Sequence, residues 1–426
     1  MKHVICWTAM SLALTACQSD NPPLTGTPPP PQKPIVRETV AVEGEKTQVF
    51  DPKVDILFVI DDSKSMKAHQ TKLSKSVKSF VNKLATVKKI DYHIGYTLSW
   101  DRTRYGSVVP EVCPDGKRNW QPAGSLEPLL GPAELLPKDG RRFVTRDDAG
   151  HLDVLKSSLD PETNVSLVKD LINPGNDKGL CPTGPLEEEM FTPVLGALDD
   201  PTRAVGPNAG FRRPDAFFVV IILSDAKDAS GMSPDDVVKR LEASTKTYSA
   251  GPKGFRVFSV VMKPGKKFVE SCVPDNAFGD MVRVHGRDVY QIPYGRTIEA
   301  NPLASLAQLT EDAGSSRVDQ VISICDSDFG DTLGDYGTQV QQDVLVDVRI
   351  GLGGKYQVFP TGDKRNLNVF VDGYELNPAQ WSVDDASDTV TVFGKKIDWD
   401  KFPEGKIKVK FVPVDAEAPT SRPAGH

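Results

Sequence analysis

Asp61, Ser63 and Ser65 place one carboxylate and two hydroxyls at alternate positions just beyond an apolar run, in the stretch Val54 to Met66 that reads VDILFVIDDSKSM. Hard divalent cations take oxygen ligands, so three such oxygens at i, i+2 and i+4, delivered from the end of a strand, make half of a Mg²⁺ or Ca²⁺ site. A second stretch has the same build: Phe217 to Leu223, FFVVIIL, ends on Ser224-Asp225-Ala226-Lys227-Asp228. The chemistry these residues suit is retention of a cation, with Asp225 supplying what the first loop lacks.

Two buried strands must present those loops, and the pattern between them says how. Lys64 to Thr86 carries Leu73, Val77, Phe80, Val81 and Leu84 at three- and four-residue spacing among lysines, which predicts an amphipathic helix. Tyr92 to Trp100 reads as a second strand, so the chain opens with a parallel βαβ unit. From Asp101 to about Gly184 the pattern dissolves into an excursion, with a weak helix over Leu152 to Ile172. Leu186 to Leu198 is an expected helix interrupted by Pro193; a helix opened by Ser233-Pro234-Asp235-Asp236, a strand over Phe255 to Met262, a helix over Pro302 to Asp312, a strand over Val321 to Ile324 and a helix from about Thr332 to Val340 follow. Alternating helices and apolar strands predict an α/β fold with a doubly wound, mostly parallel sheet, in which ligands bind at the carboxyl ends of strands.

Beyond Asp343 the period becomes two. Val344, Val346, Val348 and Ile350, then Leu367, Val369 and Val371 before Asp372-Gly373, then Val390 and Val392, then Ile407, Val409 and Phe411 predict a small antiparallel β-sandwich. Lys406, Lys408 and Lys410 read as its solvated face. The organisation expected is a signal peptide over 1–16, a linker over 17–50, the α/β domain over 51–342 with its insertion at about 101–184, the sandwich over 343–415, and a disordered tail over 416–426.

The chain begins with Lys2, the apolar run Val4 to Leu14 and the quartet Leu14-Thr15-Ala16-Cys17. This series has the order of a secretion signal, and the quartet resembles the bacterial lipobox, which implies lipidation at Cys17. In that resemblance Gln18 after the cysteine implies an outer-membrane address. Pro22, Pro23, Pro28 to Pro31 and Pro34 make an extended tether between anchor and body. Cys113, Cys181, Cys272 and Cys325 remain, an even count that suggests disulfides in an exported chain. Of the three possible connectivities, Cys113 with Cys181 and Cys272 with Cys325 is preferred. A formal charge of −7, one unit more negative once Lys2 is cleaved away, argues against nucleic acid as a partner.

The two polar loops together resemble the metal-ion-dependent adhesion site of von Willebrand factor A domains, over roughly residues 51 to 340. That resemblance implies that Ser63 and Ser65 ligate the ion directly, and that Asp61 and Asp225 hold it mainly through water. It also implies a threonine from a third loop, for which Thr183 is preferred to Thr192. Mg²⁺ is the first expectation, with Mn²⁺ and Ca²⁺ as alternatives. An ion touched by few carboxylates keeps net positive charge and an exchangeable position, so it can accept an acidic side chain from a protein partner. Lys64 and Ala226 stand where many members have glycine. The stretch Ser323 to Phe329 resembles the segment before the last helix of secreted bacterial A-type domains. Its Asp326 and Asp328 read as caps or turn residues before they read as a Ca²⁺ site.

The sequence contains no GxSxG, HExxH or GxxxxGK[ST], and its six histidines form no acid–base group, so a non-enzymatic protein is expected. The alternative is an envelope scaffold in which the same fold works without metal.

Overall fold

The apolar runs that dominate the sequence become the centre of a six-stranded sheet in the computed structural model. It describes residues 44–63, 66–100, 123–164, 167, 188–199, 206–245, 254–265, 300–310, 319–326, 329–353 and 367–411. The strands are β2 (Lys53–Ile60), β3 (Asp91–Leu98), β4 (Phe143–Thr145), β5 (Phe217–Ser224), β6 (Phe255–Val261) and β7 (Val321–Ser323). Their order is β4-β3-β2-β5-β6-β7, and every pairing is parallel except that of the edge strand β4 with β3.

Helices cover both faces, because β2 and β5 are apolar on both. Ile56, Phe58, Val219 and Ile221 share one core with α1 (Lys67–Leu84), α2 (His151–Leu159) and α6 (Phe329–Val344). Leu57, Val59, Val220 and Ile222 share another with α3 (Phe191–Asp199), α4 (Pro234–Ser244) and α5 (Pro302–Leu309). The five apolar residues expected on the inner face of α1 are all buried. Burying each contributes about 1.5–3 kcal/mol, far more than helix propensity alone supplies. Ser233 caps α4 with its side chain accepting from the Asp236 amide, as its Ser-Pro start predicts. Against α1, α6 packs so closely that a Cβ on Gly337 would lie 2.2 Å from the Phe80 carbonyl oxygen.

The second lobe consists of two antiparallel sheets around one shared core that includes Val369, Val390, Ile407 and Val409. One has the order β1-β13-β9-β10 and the other β11-β12-β8, with β1 at Glu45–Val49, β8 at Val348–Gly351, β9 at Leu367–Val371, β10 at Tyr374–Glu375, β11 at Trp381–Asp384, β12 at Thr389–Val392 and β13 at Lys406–Phe411. The Asp372-Gly373 turn joins β9 to β10 with φ of 47° and 85°, the left-handed pair that such a tight hairpin needs.

Several expectations change. Glu45–Val49 lies in the sandwich, antiparallel to β13, and not in the linker, so the α/β domain is inserted between the first and later strands of the smaller lobe. Within the excursion, β4 extends the sheet and α2 packs on α1. The helix expected from Leu186 begins at Phe191, with Pro193 in its first turn, where a missing amide costs nothing. The last helix is longer than expected at both ends, so Val344 is helical and β8 starts only at Val348. Lys408 pairs with Glu45 at 2.8 Å, and Lys410 lies 5.3 Å from the centre of the Phe370 ring, in keeping with a solvated sheet face.

The lobes meet at the end of the sheet remote from the carboxyl ends of its strands. The Lys88 amide donates to Asp400 at 2.7 Å, and the Lys89 ammonium donates to the Pro403 carbonyl at 2.6 Å.

Candidate functional site

The chain runs from β2 to β3 on one side and later returns to β5 on the other, so the order of the sheet reverses beside β2. Such a switch point opens a crevice at the carboxyl ends of the two strands. Ile60 is in register with Leu223, which brings Asp61 next to Ser224. The Asp61 amide donates to the Leu223 carbonyl at 2.9 Å, extending the ladder by one residue. The two loops singled out in the sequence therefore meet.

Both oxygens of Asp61 are engaged. Oδ1 accepts from the Ser63 amide at 2.9 Å, and Oδ2 accepts from the Ser224 hydroxyl at 2.8 Å. The residue is completely buried. Burial pushes its carboxyl up to about 6, against the hydrogen bonds from Ser63 and Ser224 that pull it down, and the Asp62 charge adds to the rise. Asp62 accepts from the Ser99 hydroxyl at 2.7 Å, and the Ser99 amide donates to Ile60 at 2.9 Å, which ties the end of β3 to the same loop. Gln70 on α1 donates to the carbonyls of Asp61 and Leu167, both at 2.8 Å. Asp225 is 2% exposed.

A residue not singled out in the sequence joins them. Glu188 stands on the loop before α3, and its carboxyl is raised well above the ordinary range by burial first and then by the charges of Asp61 and Asp225. Its loop is held from two sides. Glu189 and Trp100 exchange backbone hydrogen bonds at 2.7 and 3.0 Å, and the Ala229 amide donates to the Glu188 carbonyl at 3.0 Å. Asp228 completes the attachment, its Oδ1 accepting from the amides of Met190 and Phe191 at 2.7 and 2.8 Å.

Of the residues expected to hold an ion, Asp61, Ser63 and Asp225 lie at this edge. Ser65 and Thr183 lie outside the described residues, as does Lys64. Thr192 sits in the first turn of α3 with its hydroxyl donating to Glu189 Oε2 at 2.5 Å. Among the described residues no three acids, histidines or cysteines converge on one point. A cation here would therefore depend on hydroxyl oxygens as well as on acids. The charge balance fits one: burial and neighbouring carboxylates raise the carboxyls of both Asp61 and Glu188. Buried negative charge of this kind is what a divalent cation relieves. Asp61, with both oxygens already accepting, suits a water-mediated place better than a direct one.

Cys325 is disulfide-bonded, and its Sγ lies 3.9 Å from Met262 Sδ beyond the ends of β7 and β6. Cys113, Cys181, Cys272 and Asp328 lie outside the described residues, as do the signal, Cys17 and the proline tether. The Asp326 amide donates to the Ser323 carbonyl at 3.0 Å in the turn before α6. No described helix is long and apolar enough to cross a membrane.

No family model matches the chain, and no curated protein matches it. Among solved structures it is similar to proximal thread matrix protein 1 from the mussel byssus, at 13% identity over 70% of this chain and 50% of that one, with a TM-score of 0.30. It is also similar to the pilus adhesin SpaC of Lactobacillus rhamnosus GG, at 9% identity over 88% of this chain and 42% of that one, with a TM-score of 0.26. The pilus adhesin RrgA of Streptococcus pneumoniae gives 9% identity over 88% and 61%, with a TM-score of 0.19. The chain spans half the length of the first of these. Scores at this level carry no argument about function, which rests on the site.

Proposed function

We propose that this chain is an exported binding protein, lipid-anchored at Cys17, whose α/β domain is of von Willebrand factor A type and captures an acidic side chain of a protein partner through a divalent cation. Ser63 and Ser65 are the direct hydroxyl ligands, Asp61 and Asp225 hold the ion largely through water, Thr183 is the third-loop ligand, and Glu188 faces the ion from the segment that leads into α3. Mg²⁺ is the favoured ion, with Mn²⁺ and Ca²⁺ as alternatives. The chain binds a partner and does not transform a substrate.

The observation that carries this reading is the meeting of two acid-bearing loops at the switch point of a parallel sheet, where burial and neighbouring carboxylates raise the carboxyls of Asp61 and Glu188. When bound, the cation supplies a Lewis-acidic position open to a carboxylate oxygen. The residues of the chain do the rest: Ser224 orients Asp61, Ser99 orients Asp62, and the loop amides fix both. Calorimetric titration of the full chain with Mg²⁺, Mn²⁺ and Ca²⁺ tests it. Saturable binding to the wild type that is lost in Asp225→Ala is expected. A wild type that binds none of the three refutes the reading and leaves the scaffold alternative.

A further inference from the structure

Among the described residues, the segment from Glu188 to the start of α3 is gripped from two sides. On one side it pairs with Trp100 beyond β3, and on the other it is joined to the segment beyond β5. That second attachment centres on one side chain. Asp228 Oδ1 accepts from the Met190 and Phe191 amides, the first donors of α3, while Oδ2 accepts from the Ser230 amide at 3.0 Å and the Ser230 hydroxyl at 2.5 Å. A helix normally takes such a cap from the residue just before it. Here it comes from a residue 37 positions away in sequence, so the cap also splices two loops.

The splice has a direction. Asp225 lies three residues before Asp228, and Glu188 lies two residues before Met190. The Ala229 amide, bound to the Glu188 carbonyl, stands next to the capping residue. Fixing Asp228 on the start of α3 therefore fixes the separation of Asp225 from Glu188. Burial raises the Asp228 carboxyl while these four hydrogen bonds lower it, so it is held as an acceptor by contacts within the chain.

We propose that Asp228 is the positioning residue of the cation site: it locks the Glu188 loop to the Asp225 loop and so sets the spacing at which the two carboxylates face the ion. This rests on the cation reading above, but the lock itself is a property of the ion-free chain.

The test compares Asp228→Ala, Asp228→Asn and the milder Ser230→Ala with the wild type. Amide hydrogen exchange is followed in the full chain without metal, and Mg²⁺ affinity is followed by calorimetry. In Asp228→Ala, exchange should quicken at Met190 and Phe191 and also at Glu189, Trp100 and Ala229, while β2 and β5 stay protected. Mg²⁺ should bind at least tenfold more weakly. Asp228→Asn keeps an oxygen toward the two amides and should restore both readouts to within about threefold of the wild type. Ser230→Ala, which removes one of the four contacts, should fall between them, and it decides the matter if the alanine variant does not fold. Faster exchange confined to Met190 and Phe191 overturns the proposal, as does unchanged Mg²⁺ affinity with the loop released. If the wild type binds no ion, the cation reading fails on calorimetry, and the role in setting an ion site fails with it. The exchange data then show separately whether the splice exists.

Discussion

Loss of the Asp61 proton should make the ion-free protein lose stability as pH rises from 4 to 6, opposite to the behaviour of a carboxylate engaged by a base. Its carboxyl lies at about 6 in the folded chain against an ordinary value of 3.8, a rise of about two units. At about 1.4 kcal/mol per unit, the differential is about 3 kcal/mol. An acid whose folded pKa is raised holds a proton that the unfolded chain has released, so the folded state binds more protons between those values. The contribution is complete below about 3.8, fades as pH rises through about 6, and is absent above it. Glu188 acts in the same direction. Urea denaturation in chelator, at half-unit steps from pH 4 to 8, should show wild-type stability falling relative to Asp61→Asn across this window by about 3 kcal/mol. Asparagine can still accept from the Ser63 amide but cannot ionise, which makes it the proper reference. Parallel curves for the two proteins, or a wild type that gains stability relative to the variant, would refute the reasoning.

Saturating Mg²⁺ should remove most of that slope, with proton release on binding below pH 6 measured from the buffer dependence of the binding enthalpy. Gly337→Ala puts a methyl group 2.2 Å from the Phe80 carbonyl oxygen and should cost about 1–3 kcal/mol in urea unfolding, whereas a cost under about 0.5 would show that α1 and α6 part easily. Asp343→Ala leaves Arg256, 1% exposed, without the carboxylate that its guanidinium contacts, and should destabilise by about 3–5 kcal/mol in the same assay. Removal of residues 1–50 takes away β1 and bares the edge of β13, so sedimentation should show self-association that the chain starting at residue 44 lacks.

The central sheet was legible because β2, β5 and β6 are runs of apolar residues ending at polar loops, and the inner face of α1 because its spacing is helical throughout. β1 was not: Glu45-Lys46-Thr47-Gln48-Val49 has one apolar side chain, itself half exposed, and its partner β13 lies some 360 residues away. β4 is three residues long, too short for any period to show. At the site, Asp61 and Asp225 stood out because each follows an apolar strand directly. Glu188 was hidden in the run Glu187-Glu188-Glu189, which looks like the acidic first turn of a helix. Pro193 held the missing signal: placed in the first turn, where proline is tolerated, it moves the start of α3 to Phe191 and leaves Glu188 on the loop. Asp228 was beyond reach of sequence reasoning, because its partners belong to a different loop.

The most direct measurement is a crystal of the full chain soaked in Mn²⁺, with anomalous differences recorded at the manganese edge. A single strong peak is expected at the carboxyl ends of β2 and β5, within ligand distance of the Ser63 hydroxyl and between Asp61 and Asp225. A fully soaked crystal with no peak there, or with manganese bound only elsewhere, would contradict it.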